Sequence, residues 1–181
     1  MSNSRRIIAI SGKSGCGNTT VSALAAEQLG FVMINYTFRS LADDLGISFE
    51  ELAERAQQDD RYDRMLDDRQ VSLARSGNCV LGSRLAIWLV PDAALTVYLD
   101  ASLETRAARI MKREGNDLLR KLEETKARDL RDSERYLRIY GIDTSDYRWA
   151  DLVIDTDRCD QFEAASQIVS AYRERSTGAY T

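Results

Sequence analysis

The chain has 181 residues, 44% of them hydrophobic and 30% charged, with 25 basic side chains against 29 acidic ones and no histidine. That length suits one domain with a full core, and a net charge of −4 leaves nothing global to draw the protein to nucleic acid or an anionic membrane. The absence of histidine excludes Cys/His metal sites and hands any acid–base chemistry to carboxylates, lysine, tyrosine or water. Cys16, Cys79 and Cys159 are odd in number and far apart, which argues against a disulfide framework and for a reducing cytoplasm. Met1 to Arg6 is short and polar, so no secretory signal is expected, and no apolar run approaches membrane-span length.

In chain order, short apolar runs at Arg6–Ser11, Phe31–Asn35, Asn78–Gly82, Leu95–Leu99 and Leu152–Asp155 read as strands. Their few polar interruptions suit strands buried on both faces, as in a parallel sheet. Between them, longer stretches read as helices: Thr19–Leu29, Phe38–Asp44, Phe49–Gln57, Arg61–Arg75, Leu103–Arg113, Asp117–Tyr140 and Gln161–Arg175. Ser102 is a candidate N-cap, and Gly30, Gly77 and Gly115 punctuate helix ends. This alternation predicts right-handed βαβ crossovers and an α/β three-layer sandwich around a five-stranded parallel sheet. Ligands in such folds bind beyond the carboxyl ends of the strands. The glycine loop, Tyr36 to Arg39 and Arg84 follow the first three strands.

The first strand runs into Gly12-Lys13-Ser14-Gly15-Cys16-Gly17-Asn18-Thr19-Thr20. Glycines at 12, 15 and 17 let backbone N–H groups converge on an anion at a helix start, and the Thr19 hydroxyl stands where such loops hold Mg²⁺. The pattern G-x-x-x-x-G-K-[ST] is met except at its lysine, where Asn18 stands. A neutral amide donates a hydrogen bond without offsetting phosphate charge. Losing one charge-stabilising donor costs roughly 3–4 kcal/mol, or about 10²–10³ in rate. Lys13 is a candidate replacement; its early position resembles, in part, the deviant phosphate loops of partition and septum-site ATPases, which also keep the later lysine and whose early lysine reaches phosphates, often across a dimer. A lysine acting in trans would make this protein a homodimer. Cys16, inside the loop, reads either as a small filler or as a reactive thiol.

Residues 105–138 hold 11 of the 25 basic side chains, a cluster suited to a small polyanion. Arg106, Arg109 and Arg113 share one helix face. Arg128, Asp132 and Arg135 share another, at offsets of four and three. Guanidinium groups suit phosphates because their planar fork donates two parallel hydrogen bonds.

Together with Phe38-Arg39-Ser40, Asp63-x-x-Leu66-Asp67-x-Arg69-Gln70, Ser83-Arg84-Leu85-Ala86-x-Trp88, Arg135-Tyr136-x-x-x-Tyr140-Gly141-Ile142-Asp143 and Asp151 to Thr156, these motifs resemble the cytidylate kinase branch of nucleoside monophosphate kinases, particularly its short archaeal-type members. The likeness runs from Ile7 to Val169. It implies a P-loop NTPase fold over residues 1–181, with an acceptor-binding helical insert at 36–76 and a lid at 106–120. It implies ATP and Mg²⁺, with Gly12 to Thr20 as the nucleotide loop and Lys13, Arg109 and Arg113 as the catalytic cations. Arg39, Arg84, Arg128, Asp132 and Arg135 would hold the acceptor, CMP or dCMP. Besides Asn18, the sequence departs from the resemblance at Gly82, where the archaeal-type pattern offers a carboxylate; Asp100 is a candidate substitute. Three readings are open: a CMP/dCMP kinase, a catalytically impaired nucleotide-binding pseudo-kinase, or a kinase for another small acceptor. The partners expected are small-molecule nucleotides in the cytoplasm, without nucleic acid or membrane.

Overall fold

The structure, a computed structural model, describes residues 6–115 and 117–178. Five strands form one sheet in the order β2-β3-β1-β4-β5, every neighbouring pair parallel: β1 (Ile7–Gly12), β2 (Val32–Ile34), β3 (Cys79–Gly82), β4 (Leu95–Asp100) and β5 (Leu152–Asp155). The helices are α1 (Asn18–Leu29), α2 (Phe38–Leu45), α3 (Phe49–Gln58), α4 (Arg61–Ala74), α5 (Ala86–Leu89), α6 (Leu103–Glu114), α7 (Leu118–Tyr140) and α8 (Gln161–Gly178).

The central strand shows why the sequence requires three layers. Ile7 to Gly12 is buried throughout, with Ile8 and Ile10 packing with α1 and α8 residues such as Val21, Ala25 and Ile168 on one face. Ile7 and Ala9 point the other way, toward Ala74 of α4, Ala86 and Ile87 of α5 and Tyr98 of β4. Alternate side chains of a strand face opposite ways, so an unbroken apolar run needs helices on both sides.

The expected strands and seven helices are present, with ends shifted by a residue or two, up to three at the end of α8. The additional helix is α5, four residues long and buried at Ala86 and Ile87; so short an apolar segment carries no periodicity. Its start is pinned by the Ile87 N–H donating to Ser11 Oγ at 3.1 Å. The strand order reverses direction between β1 and β3, which places a crevice at their carboxyl ends. The 36–76 region is the three helices α2, α3 and α4. The 106–120 region is the end of α6 and the start of α7, joined through Gly115 and Asp117, with Asn116 outside the described residues.

Candidate active site

The loop after β1 is held from below by α6. Arg106 is only 4% exposed; its guanidinium donates to the Ser14 carbonyl at 3.1 Å and the Ala101 carbonyl at 3.2 Å, and meets both oxygens of Asp129 on α7. α6 presses so close that a Cβ on Gly15 would stand 2.8 Å from the Arg106 carbonyl oxygen, and Gly15 has a φ of +86°. Both facts demand glycine there. The same loop supplies Gly17 as the cap residue of α1.

Asn18 opens α1 and lines the loop cavity, with its side chain held by the strand ends. Its Nδ2 donates to the Ile10 carbonyl at 2.9 Å and the Ser83 carbonyl at 3.3 Å, and its Oδ1 accepts from Ser22 Oγ at 2.9 Å. A carbonyl only accepts, so both amide hydrogens are committed to the ends of β1 and β3. Lys13 is exposed at the loop, and its side chain makes no hydrogen bond or ion pair among the described residues. Thr19 and Thr20 are exposed at the start of α1. Cys16 is buried, and burial pushes its thiol up to about 11 despite Arg106 and Arg109 nearby. A thiol so far above neutrality is a packed side chain, which decides against the reactive reading.

A cavity of about 500 Å³ is lined by the whole loop from Gly12 to Thr20, by Gly82 to Arg84, by Arg109 and Arg113, and by Thr156 and Cys159 to Gln161. Arg109 is fixed in its wall by Thr156, with Nη1 donating to Thr156 Oγ1 at 3.0 Å and Nη2 to the Thr156 carbonyl at 2.7 Å. Arg113 is exposed and pairs with Glu114 at 2.7 Å. The three arginines of α6 thus divide: Arg106 is a buried brace, and Arg109 and Arg113 line the cavity.

A second cavity of about 520 Å³ is lined by Gln57, Arg84, Arg128, Arg131, Asp132 and Arg135. Arg84 lines both cavities. α7 reaches three parts of the cleft from one face: Arg128 Nη1 donates to Ser14 Oγ at 3.1 Å, Asp132 pairs with Arg84, and Arg135 pairs with Asp63 of α4. Asp63 is pulled two ways, its carboxyl raised by burial while Arg135 opposes the shift, with the net effect upward. Arg39 is exposed, with its guanidinium 5.0 Å from the centre of the Phe49 ring, and lines neither cavity. Asp100 is already engaged, by the Tyr147 hydroxyl at 2.9 Å and the Ala101 N–H at 3.0 Å.

Asp129 was not named in the sequence, and Asp63, Thr156 and Arg131 stood there only as motif or basic-cluster residues with no site role. The signal for Asp129 was indirect: Arg106 shares the apolar stripe of α6 with Ala107 and Ile110, and an arginine in such a stripe needs a carboxylate partner. Among the described residues there is no group of three or more His, Cys, Asp or Glu that could hold a metal ion, and no helix long and apolar enough to cross a membrane.

This site sits on a known scaffold. The structure superposes on shikimate kinase from Bacteroides thetaiotaomicron with a TM-score of 0.63 at 16% identity, covering 94% of this chain and 98% of that one, a likeness of fold. In sequence, it is 51% identical over 152 residues to cytidylate kinase 2 of Borreliella afzelii, covering 82% of this chain and 85% of the relative. It is 38% identical over 160 residues to the cytidylate kinase of Pyrococcus horikoshii, covering 87% and 83%. The sequence model of the cytidylate kinase-like family matches residues 7–158. With the loop, the arginine-lined cleft and these likenesses in agreement, the chain belongs to the cytidylate kinase-like family.

Proposed function

We propose that this protein transfers the terminal phosphoryl group of ATP to the phosphate of a nucleoside monophosphate, with CMP or dCMP as acceptor. The observation that carries this reading is the pair of cavities meeting at Arg84, one walled by the glycine loop and the other by four arginines. A phosphotransferase needs a donor site and an acceptor site whose phosphates face each other across shared positive charge. The relatives that match most of the chain are cytidylate kinases by name.

In the reaction, an acceptor phosphate oxygen forms a bond to the γ-phosphorus as the bond from that phosphorus to the bridging oxygen breaks. The electron pair leaves with ADP. The attacking oxygen is already anionic, so no general base is needed, and the protein's part is positioning and charge neutralisation. The loop amides and the α1 N-terminus receive the donor phosphates, while Lys13, Arg109 and Arg113 offset their charge. Arg84, Arg128 and Arg135 receive the acceptor phosphate, and Asp132 is placed to accept from the acceptor's base or sugar. On this reading helices α2 to α4 form the acceptor side.

Mg²⁺ keeps several waters and takes few protein ligands when phosphates supply the rest. The exposed Thr19 hydroxyl fits such a site, and the cation would supply further neutralisation of phosphate charge. The test is a coupled assay of ADP release offering CMP, dCMP, UMP and AMP in turn. Release with CMP or dCMP is expected; binding of ATP with no release for any acceptor would replace this reading by that of an impaired nucleotide-binding protein.

A further inference from the structure

Asn18, which stands where the common phosphate loop has its lysine, and Gly82 at the end of β3 are neighbours in the fold. A Cβ on Gly82 would stand 2.8 Å from Asn18 Oδ1 and 2.6 Å from Ser22 Oγ. Ser22 is fully buried and donates to that same Oδ1. A side chain at position 82 would therefore press on both Ser22 and the asparagine that ties β1 to β3 and force a shift in that pair, so the two positions are coupled.

The tie also holds the segment just beyond β3. The Ser83 N–H donates to the Ile10 carbonyl at 3.1 Å, and the Ser83 carbonyl accepts from Asn18 Nδ2 at 3.3 Å. Both backbone groups of Ser83 are thus fixed at the crevice between the strand ends, and the next residue is Arg84. Asp132 takes one arm of its guanidinium, and its remaining N–H groups have no partner among the described residues. Arg84 alone of the arginines lines both cavities.

We propose that Asn18 is a positioning residue for Arg84, and that Arg84, standing between donor and acceptor phosphates, supplies the positive charge that position 18 lacks. The proposal rests on the phosphotransfer reading. During transfer, negative charge spreads over the oxygens of the moving phosphoryl group, between the two cavities, where a guanidinium on an anchored backbone, with N–H groups to spare, can stabilise it. Lys13, Arg109 and Arg113 line the loop cavity, so the cations divide the work: these three on the donor phosphates and Arg84 on the group in flight.

The experiment is a double-variant cycle read by single-turnover phosphoryl transfer from ATP to CMP, with thermal melting followed in parallel. Arg84→Ala is expected to slow transfer by about 10²–10³, and Asn18→Ala by about tenfold through misplacement. In the Arg84→Ala background, Asn18→Ala is expected to cost nothing further in rate while still lowering the melting temperature as it does alone. Gly82→Ala, which presses on Asn18 and Ser22 from the other side, should repeat this pattern and serves where Asn18→Ala does not fold. Equal slowing by Asn18→Ala in both backgrounds would mean that Asn18 meets the phosphates itself and would overturn the proposal. So would an Asn18→Lys variant faster than the native chain. Failure of the native chain to transfer to CMP, dCMP, UMP or AMP overturns the phosphotransfer reading and this proposal with it; transfer with additive losses overturns this proposal alone.

Discussion

Asp129 on α7 meets both arms of the Arg106 guanidinium on α6, at 3.0 and 2.6 Å, directly beneath the phosphate loop. Arg106 is 4% exposed, and two further N–H groups donate to the carbonyls of Ser14 and Ala101. A buried pair of this kind adds little over an apolar replacement, but breaking it strands a charge. Asp129→Ala should therefore destabilise the protein by about 3–5 kcal/mol in urea titration. The double variant Arg106→Met/Asp129→Leu should recover much of that loss while weakening ATP binding, because the loop then loses its brace at Ser14. A double variant no more stable than Asp129→Ala alone would show that the brace, not the stranded charge, sets the stability.

Gly15 is where loop and brace touch. Gly15→Ala sets a methyl group 2.8 Å from the Arg106 carbonyl oxygen and holds alanine at a φ of +86°. The backbone conformation alone costs on the order of 1–2 kcal/mol, and the contact forces loop and α6 apart. ATP affinity measured by calorimetric titration should fall by about tenfold or more, with a lower melting temperature. Unchanged affinity would mean that the loop adjusts freely, contrary to its packing.

Lys13 is the one loop cation, and its side chain has no partner among the described residues. Lys13→Ala should reduce turnover or ATP affinity by about tenfold, the effect of one charge-assisted contact to phosphate, with no change in melting temperature in the absence of nucleotide. Equal turnover and equal affinity would remove Lys13 from the site.

On the proposed function, a variant at Arg135 tells the acceptor side from the donor side. It lines the second cavity and pairs with Asp63. Arg135→Ala should raise KM for CMP by about 10- to 100-fold, the worth of a hydrogen bond to a charged group, while leaving the ATP dissociation constant within about twofold. Equal weakening of both nucleotides would place Arg135 in the general stability of the cleft instead.

A pH dependence arises at the seam between α4 and α7. Asp67 accepts from the Tyr140 hydroxyl at 2.5 Å, and burial pushes its carboxyl from 3.8 up to about 6, against the hydrogen bond, which lowers it. The folded chain holds more protons than the unfolded one between those values. This group therefore subtracts stability progressively as pH rises through that window and by a constant amount above it. Asp67→Asn keeps an acceptor for Tyr140 and removes the charge. It should stabilise the protein by about 3 kcal/mol at about pH 7 and make little difference below about pH 4, read from urea midpoints across pH. A stability gap of equal size at both ends would assign the effect to packing.

Much of the frame and of the layout of the candidate site was legible in the chain because local physics writes it there. Gly12, Gly15, Gly17 and Thr19 follow an apolar strand and open a helix, and in the fold that loop lines a cavity. The strands at Ile7–Gly12 and Leu95–Asp100 are apolar runs that bury both faces. The spacing of Arg128, Asp132 and Arg135 puts them on one side of α7, and in the fold that side meets Ser14, Arg84 and Asp63. The short helix Ala86–Leu89 was illegible because four residues hold barely one turn of periodicity.

What the sequence by itself determined is the parallel α/β frame, the nucleotide loop and the store of arginines, since these depend on periodicity, glycine geometry and composition. What only the tertiary structure decided is the work each charged or polar group does. Arg106 and Asp129 are 23 residues apart, Arg84 and Asp132 are 48, and Asn18 and Ser83 are 65. Pairing across such distances is set by how β1, β3, α6 and α7 pack, so the place of Asn18 in the motif said which residue was missing, and only the fold said what the asparagine does instead.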